Sequence, residues 1–246
     1  MTRAGGEESD MSIPLQQVIF DCDGVLVDSE VLAEEELSRQ LGEWLPDLDT
    51  EAELRAALGM TTEAILGHLE VMSAHTLPPQ AMERIDHAIE SRLAKELAPI
   101  SGMAELLGGL LANGVAVAIV SNSAERRVRA SLAATGLDRW LASVPLFTAE
   151  QVARPKPAPD VYQLALRQLG RDVEECVVVE DSLAGVSAAV AAGLRVIGFT
   201  GAAHIPPGHA QRQLEAGAWQ SRASMEEVSA LISKLRIGQV SDLSAT

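Results

Sequence analysis

Aromatic side chains are nearly missing from this chain: Phe, Trp and Tyr make up 3% of its 246 residues. A core built around rings is therefore excluded. With 47% apolar residues overall, that role falls to Leu, Val, Ile and Ala. Positive charge is also scarce. Lys and Arg number 19 against 35 Asp and Glu, a formal net charge of −16. A nucleic-acid binder needs clustered cations to neutralise phosphates, so that class is set aside. Such acidity also repels anionic ligands at long range, and any anion site must be made locally positive by a metal, a lysine or helix N-termini. Cysteine occurs twice, at Cys22 and Cys176, in no metal-ligand spacing and in too small a number for a disulfide framework. Both read as small buried thiols of a reducing cytoplasm. No apolar run approaches the ~20 residues of a membrane span. The opening MTRAGGEESDMS has no apolar centre and does not read as a secretory signal. Residues 1–14 are expected to form a flexible tail and the closing SDLSAT a loose one, and the expected location is cytoplasmic.

What is present is a repeating rhythm. Gln17–Asp21 (QVIFD), Val115–Val120 (VAVAIV), Cys176–Val179 (CVVV) and Leu194–Phe199 (LRVIGF) are short β-branched runs stopped by turn formers, the pattern of buried strands. Helical patterns separate them at 103–112, 124–134, 160–169 and 183–192. Asn113-Gly114, Gly136, Gly170 and Gly193 stand where C-terminal caps belong. Strands alternating with single helices imply βαβ units and a parallel sheet covered on both faces. Between residues 30 and 98 the rhythm breaks. Only helical patterns occur there, at 30–42, 51–58, 62–74 and 79–97, with Pro78-Pro79 and Pro99 as breaks. The expected organisation is a discontinuous α/β core, 15–29 and 99–246, carrying an inserted all-helical cap at 30–98.

Ligands of an open parallel sheet bind beyond the carboxyl ends of its strands. The first strand ends in Asp21-Cys22-Asp23-Gly24, the second in Ser121-Asn122-Ser123, and the 176–179 strand in Glu180-Asp181-Ser182. A proline-framed loop, ARPKPAPD, adds Lys156. This inventory suits phosphoryl transfer. A carboxylate can attack phosphorus, splitting one hard hydrolysis into two easier displacements. Asp21 and Asp23 are two residues apart, so on an extended strand end their side chains share a face, one to attack and one to move protons. Clustered carboxylates repel one another, and a hard divalent cation such as Mg2+ relieves that repulsion. Bland readings stand beside these. Asp21 and Asp23 could cap a turn. Ser121 and Asn122 are good N-caps for the next helix, as are Asp28, Ser29 and Ser182 for theirs. Glu180-Asp181 could be a first-turn acid pair. Histidines 68, 75, 87, 204 and 209 form no zinc pattern, and surface polarity is the expected role of His204 and His209, with a place at the site's rim as the alternative.

DCDGVLVDSE (21–30), SNS (121–123), Lys156 in RPKPAPD and VVEDSLAG (178–185) resemble, in order, the four motifs of haloacid dehalogenase superfamily hydrolases. The resemblance implies a Rossmann-like core with an α-helical cap after motif one. It implies Asp21 as nucleophile, Asp23 as general acid/base, and Ser121, Asn122 and Lys156 as phosphoryl-binding residues. Asp21, Asp23, Glu180 and Asp181 would hold Mg2+, and Gly59–Thr62 would face the substrate from the cap. Dehalogenases and phosphonatases of the superfamily lack the second motif-one aspartate, present here as Asp23. The rival is the β-phosphoglucomutase group, whose cap carries a histidine and an arginine. The matching positions here are Ala33 and Thr62, which favours hydrolysis over the mutase alternative. The expectation is a phosphatase of small phosphorylated metabolites, similar to bacterial sugar-phosphate phosphatases of the 6-phosphogluconate kind. It would act as a monomer or weak homodimer with no nucleic-acid or membrane partner.

Overall fold

The computed structural model describes residues 15–56 and 62–236. The expected tails, residues 1–14 and SDLSAT, and the loop at 59–61 lie outside the described residues, as does the side chain of Thr62. Six parallel strands form one sheet: β1 (Gln17–Phe20), β2 (Ala116–Ser121), β3 (Leu146–Thr148), β4 (Cys176–Glu180), β5 (Arg195–Phe199) and β6 (Gln220–Arg222). Their spatial order is β3-β2-β1-β4-β5-β6. The chain therefore builds outward from β1 in one direction, then returns past it to build outward in the other. That reversal leaves a crevice at the carboxyl ends of β1 and β4, where ligands of such sheets bind.

Alternation along the strands explains the two covered faces. Val18, Phe20, Val177, Val179, Ile197 and Phe199 pack into one apolar cluster, which includes Met103 and Leu107 of α5 (Met103–Ala112) and Val228 and Ile232 of α11 (Met225–Arg236). Ile19, Val178 and Val196 point the other way, against Val161 and Ala165 of α8 (Asp160–Leu169) and Val186 of α9 (Leu183–Ala191). Between β2 and β3 run α6 (Glu125–Thr135) and the single turn α7 (Asp138–Leu141), and α10 (His209–Glu215) precedes β6. Gly136 and Gly170 cap α6 and α8 with φ of 69° and 61°, the left-handed conformation that ends a helix without a Cβ penalty.

Among the described residues from Glu30 to Glu96 the only elements are helices: α1 (Glu30–Trp44), α2 (Thr50–Ala56), α3 (Thr62–Met72) and α4 (Ala81–Glu96). These helices share an apolar cluster of their own, made by Leu41, Leu45, Leu54, Leu66, Leu69 and Ile85. Exit and re-entry lie side by side. Val27 bridges Pro99 antiparallel, Asp28 N–H donates to the Ala98 carbonyl at 3.1 Å, and Ile100 N–H donates to that of Leu26 at 3.0 Å. No helix among the described residues is long and apolar enough to cross a membrane.

Candidate active site

The crevice at the carboxyl ends of β1 and β4 opens into a cavity of about 300 Å³. It is lined by Asp21, Asp23, Ser121, Asn122, Lys156 and Asp181, together with Glu30, Ser123, Ser182 and His204. Glu180 lies beneath this surface, fully buried.

Asp21 directly follows β1, and its N–H donates to the Val179 carbonyl at 3.0 Å, so the sheet ladder fixes its backbone. Lys156 approaches it from the loop before α8. Its ammonium donates to Asp21 Oδ1 at 2.6 Å, to Glu180 Oε2 at 2.8 Å and to the Val120 carbonyl at 3.0 Å, which uses all three of its protons. Burial works against charge on Lys156, but the two carboxylates outweigh it and hold the ammonium well above the usual lysine range. Glu180 is saturated in turn. Its Oε2 also accepts from the Tyr162 hydroxyl at 3.0 Å, and its Oε1 accepts from the Ser182 N–H and hydroxyl at 3.1 and 2.9 Å. Burial opposes its ionisation, yet Lys156 and Ser182 bring it below the usual carboxylate range.

Asp21 is affected in the opposite sense. Burial and then the Glu180 charge push it well above its ordinary value, against the pull of Lys156. Asp181 rises to about 7, chiefly through burial, with His204 opposing and Glu180 adding to the shift. Two carboxyls that resist ionisation beside a third that is ionised call for a cation. Asp21, Glu180 and Asp181 each offer one oxygen, all within 4.8 Å of one another. This all-oxygen donor set fits a hard divalent ion of the Mg2+ type.

Asp23 is held apart from that cluster. The Ser29 hydroxyl donates to its Oδ1 at 2.5 Å and the Ser123 hydroxyl to its Oδ2 at 2.7 Å, with Arg127 Nη2 3.9 Å from Oδ1. The carboxylate is thereby aimed, with Oδ1 and Oδ2 each oriented by a separate element. Gly24 makes the turn possible. Its φ is +78°, and a Cβ there would run into the Asp181 carboxylate and lie 2.9 Å from His204 Cε1.

Several capping expectations are corrected by these bonds. Ser29 precedes α1, but its hydroxyl serves Asp23 and makes no cap bond. Ser121 and Asn122 do not cap α6, which has Ala124 at its N-cap position. Instead the Ser121 hydroxyl accepts from Ser123 N–H at 3.0 Å. The Asn122 carboxamide grips the backbone of Lys156, accepting from its N–H at 3.0 Å and donating to its carbonyl at 3.1 Å. Ser182 does cap α9, accepting from Gly185 N–H.

The residues that sequence reasoning missed are Ser123, Arg127, Tyr162 and Gln213. Tyr162 and Gln213 carry no local signal: each acts across the fold on an atom far away in sequence. His204 and His209, read chiefly as surface polarity, both reach Asp181. His204 Nε2 lies 3.0 Å from Asp181 Oδ2, and His209 Nε2 lies 2.7 Å from the Asp181 carbonyl. The usable signal was their place just after a strand end on the functional edge of the sheet.

Comparison with known proteins agrees with this geometry. The model of the family described as haloacid dehalogenase-like hydrolase matches residues 18–199, and the chain belongs to that family. It is 34% identical over 190 residues to hexitol phosphatase A of Escherichia coli, covering 76% of this chain and 84% of that protein. To the 6-phosphogluconate phosphatase of the same organism it is 29% identical over 194 residues, covering 78% and 86%. A structure from Thermotoga maritima described as a putative beta-phosphoglucomutase superposes with a TM-score of 0.77 at 26% identity, covering 89% of this chain and 99% of that one. The protein is an enzyme of this hydrolase family, with the Rossmann-like parallel sheet that its motifs imply.

Proposed function

We propose that the protein is a Mg2+-dependent phosphatase of small phosphorylated metabolites, sugar phosphates or phosphorylated sugar acids such as 6-phosphogluconate. The observation that carries this reading is the convergence of Asp21, Asp23, Ser121, Lys156 and Asp181 on one cavity. Phosphatase relatives of both named kinds support the substrate class.

In this reading an Asp21 oxygen attacks phosphorus, the bond to the leaving alkoxide breaks, and Asp23 gives that alkoxide a proton. A water then attacks the aspartyl-phosphate and Asp23 takes its proton, which frees inorganic phosphate and restores Asp21. Lys156, ammonium-charged and 2.6 Å from Asp21 Oδ1, sets the direction of the nucleophile and pulls toward its ionised form, a pull that the bound cation would complete against burial and Glu180. Ser121 would donate to a phosphoryl oxygen, and Lys156 would turn toward another the proton that it gives to Asp21 Oδ1 in the free enzyme. Asn122 fixes the Lys156 backbone, so its part in phosphoryl binding is to hold the lysine in place. Asp21, Asp181 and the Asp23 carbonyl would hold the cation directly, and Glu180, whose oxygens are taken by Lys156, Tyr162 and Ser182, would act on it through water or by charge; the cation's contribution is charge neutralisation around the transferring group. Residues 30–98 act as a cap whose helices, with their own apolar cluster, cover the site and select the leaving group. Buried thiols that form no disulfide suit a cytoplasmic enzyme.

The mutase reading has the Thermotoga neighbour in its favour. Against it, Ala33 on α1 supplies no cap imidazole. Both readings are tested by incubating the enzyme with Mg2+ and a panel of phosphorylated sugars and sugar acids, with Asp21→Asn as control. We expect free phosphate that requires both Mg2+ and Asp21, with the variant at least 1,000-fold slower. Isomerised sugar phosphate seen by NMR, without free phosphate, overturns the phosphatase in favour of the mutase.

A further inference from the structure

Asp181 is gripped at both ends by one stretch of chain that follows β5. On the carboxylate, His204 Nε2 lies 3.0 Å from Oδ2. On the main chain, His209 Nε2 and Gln213 Nε2 each lie 2.7 Å from the Asp181 carbonyl oxygen, which fills both of its lone pairs. His209 and Gln213 are four residues apart on α10, so they project from the same face of that helix.

Two of the gripping residues are themselves held, while His204 Nδ1 is buried without a hydrogen-bond partner among the described residues. Arg212 Nη2 lies 3.3 Å from His209 Nδ1, which leaves Nε2–H to face the carbonyl. Gln213 is fully buried, donates also to the Phe199 carbonyl at 3.0 Å and accepts from the Ser221 hydroxyl at 2.9 Å. It thus joins the ends of β4, β5 and β6. Gly198 on β5 leaves the space that the Gln213 side chain fills, and a Cβ there would collide with it. These bonds pair the Asp181 and Phe199 carbonyls and in doing so pin the residue that carries the Asp181 carboxylate. All three residues lie beyond residue 199, where the family model's match ends.

We infer that His204, His209 and Gln213 are positioning residues for Asp181, fixing its backbone and one carboxylate oxygen so that the other oxygen is presented to a divalent cation. Partners of this kind orient a metal-binding group and set its affinity by about 10- to 100-fold. The inference rests on the metal-dependent reading of the site, and the test separates the two. Mn2+ is titrated into the full-length protein and its free signal followed by electron paramagnetic resonance, without substrate. The proteins compared are wild type, His204→Ala, His209→Ala, His204→Gln and His209→Gln. Glutamine places its amide nitrogen near the position of a histidine Nε2, so it restores the donor without the ring. Gln213 is buried too deeply for its variants to be informative, and the histidines carry the test. We expect each alanine variant to bind Mn2+ at least 10-fold more weakly and each glutamine variant to recover most of that loss, all with wild-type circular dichroism. Unchanged Mn2+ affinity in both alanine variants, even with a lowered Tm, overturns the inference while leaving the metal site standing. A wild-type protein that binds no Mn2+ overturns the metal site itself.

Discussion

Lys156 is the residue on which the site's electrostatics turn. It is buried between Asp21 and Glu180, and among the described residues no other cation lies within 4 Å of either. Removing it with Lys156→Met keeps the volume but leaves two buried carboxylates facing each other. We expect the metal-free variant to lose about 3–5 kcal/mol in urea unfolding, as happens when one member of a buried ion pair is deleted. Added Mg2+ should return part of that stability without returning turnover. Gly24 is the second such position. Gly24→Ala forces a side chain into a φ of +78° and into the Asp181 carboxylate. A cost of about 1–3 kcal/mol and weakened metal binding are expected, read by thermal unfolding and Mn2+ titration. Much of this site was legible beforehand, because Asp21, Asp23, Ser121, Lys156 and Asp181 each stand at or beside a strand end or a proline-framed turn. What was hidden acts sideways. Tyr162 on α8 and Gln213 on α10 sit in helical stretches whose sequence says nothing of the carboxylate or carbonyl they meet.

Elements were legible in proportion to their burial. β1, β2, β4 and β5 are covered on both faces, so each carries a short apolar run: VIF, AVAIV, CVVV and VIGF. The strands β3 and β6 are three-residue edge pieces: Leu146-Phe147-Thr148 is largely buried but too short to show a period, and Gln220-Ser221-Arg222 is only half-buried and carries no hydrophobic pattern. α10, HAQRQLE, looks like polar surface because its buried face is a hydrogen-bonding one. Helix glycines show how tightly the layers meet. Gly185, in the first turn of α9, touches the Glu180 side chain so closely that a Cβ would overlap its carboxylate. Gly108 in α5 has open space there, with nothing within 4 Å. Gly108→Ala should therefore stabilise the protein by about 0.5–1 kcal/mol through backbone entropy. Gly185→Ala, the same chemical change, should destabilise it and displace Glu180 from Lys156. Chemical denaturation of the two variants side by side checks both signs.

For the whole molecule, the buried acids make stability depend on pH and cation together. Asp181 titrates near 7 in the fold against 3.8 in its ordinary state, raised first by burial. A raised carboxyl favours the fold fully below its unfolded value, and this contribution is lost as pH climbs through the folded one. The metal-free protein should thus lose stability between about pH 4 and pH 7 through this group, and the raised value of Asp21 acts in the same direction. Cation binding needs the carboxylates ionised, so Mg2+ affinity should rise across the same window and level off above about 7. Thermal unfolding at pH 5.5 and pH 8 checks this: the gain in Tm on adding Mg2+ should be larger at pH 8. One contact made by the backbone alone has a mechanical consequence. The long helical excursion leaves and returns through two chain segments laced together at Val27 and Pro99, and Val27 also bridges Asp23. Those segments form a strap with Asp23, the proton carrier of the proposed mechanism, tied to its fixed end. If the helices swing against the sheet as the proposed function has it, the pull is expected to reach Asp23 first, so that opening the site and misaligning its acid would be one movement.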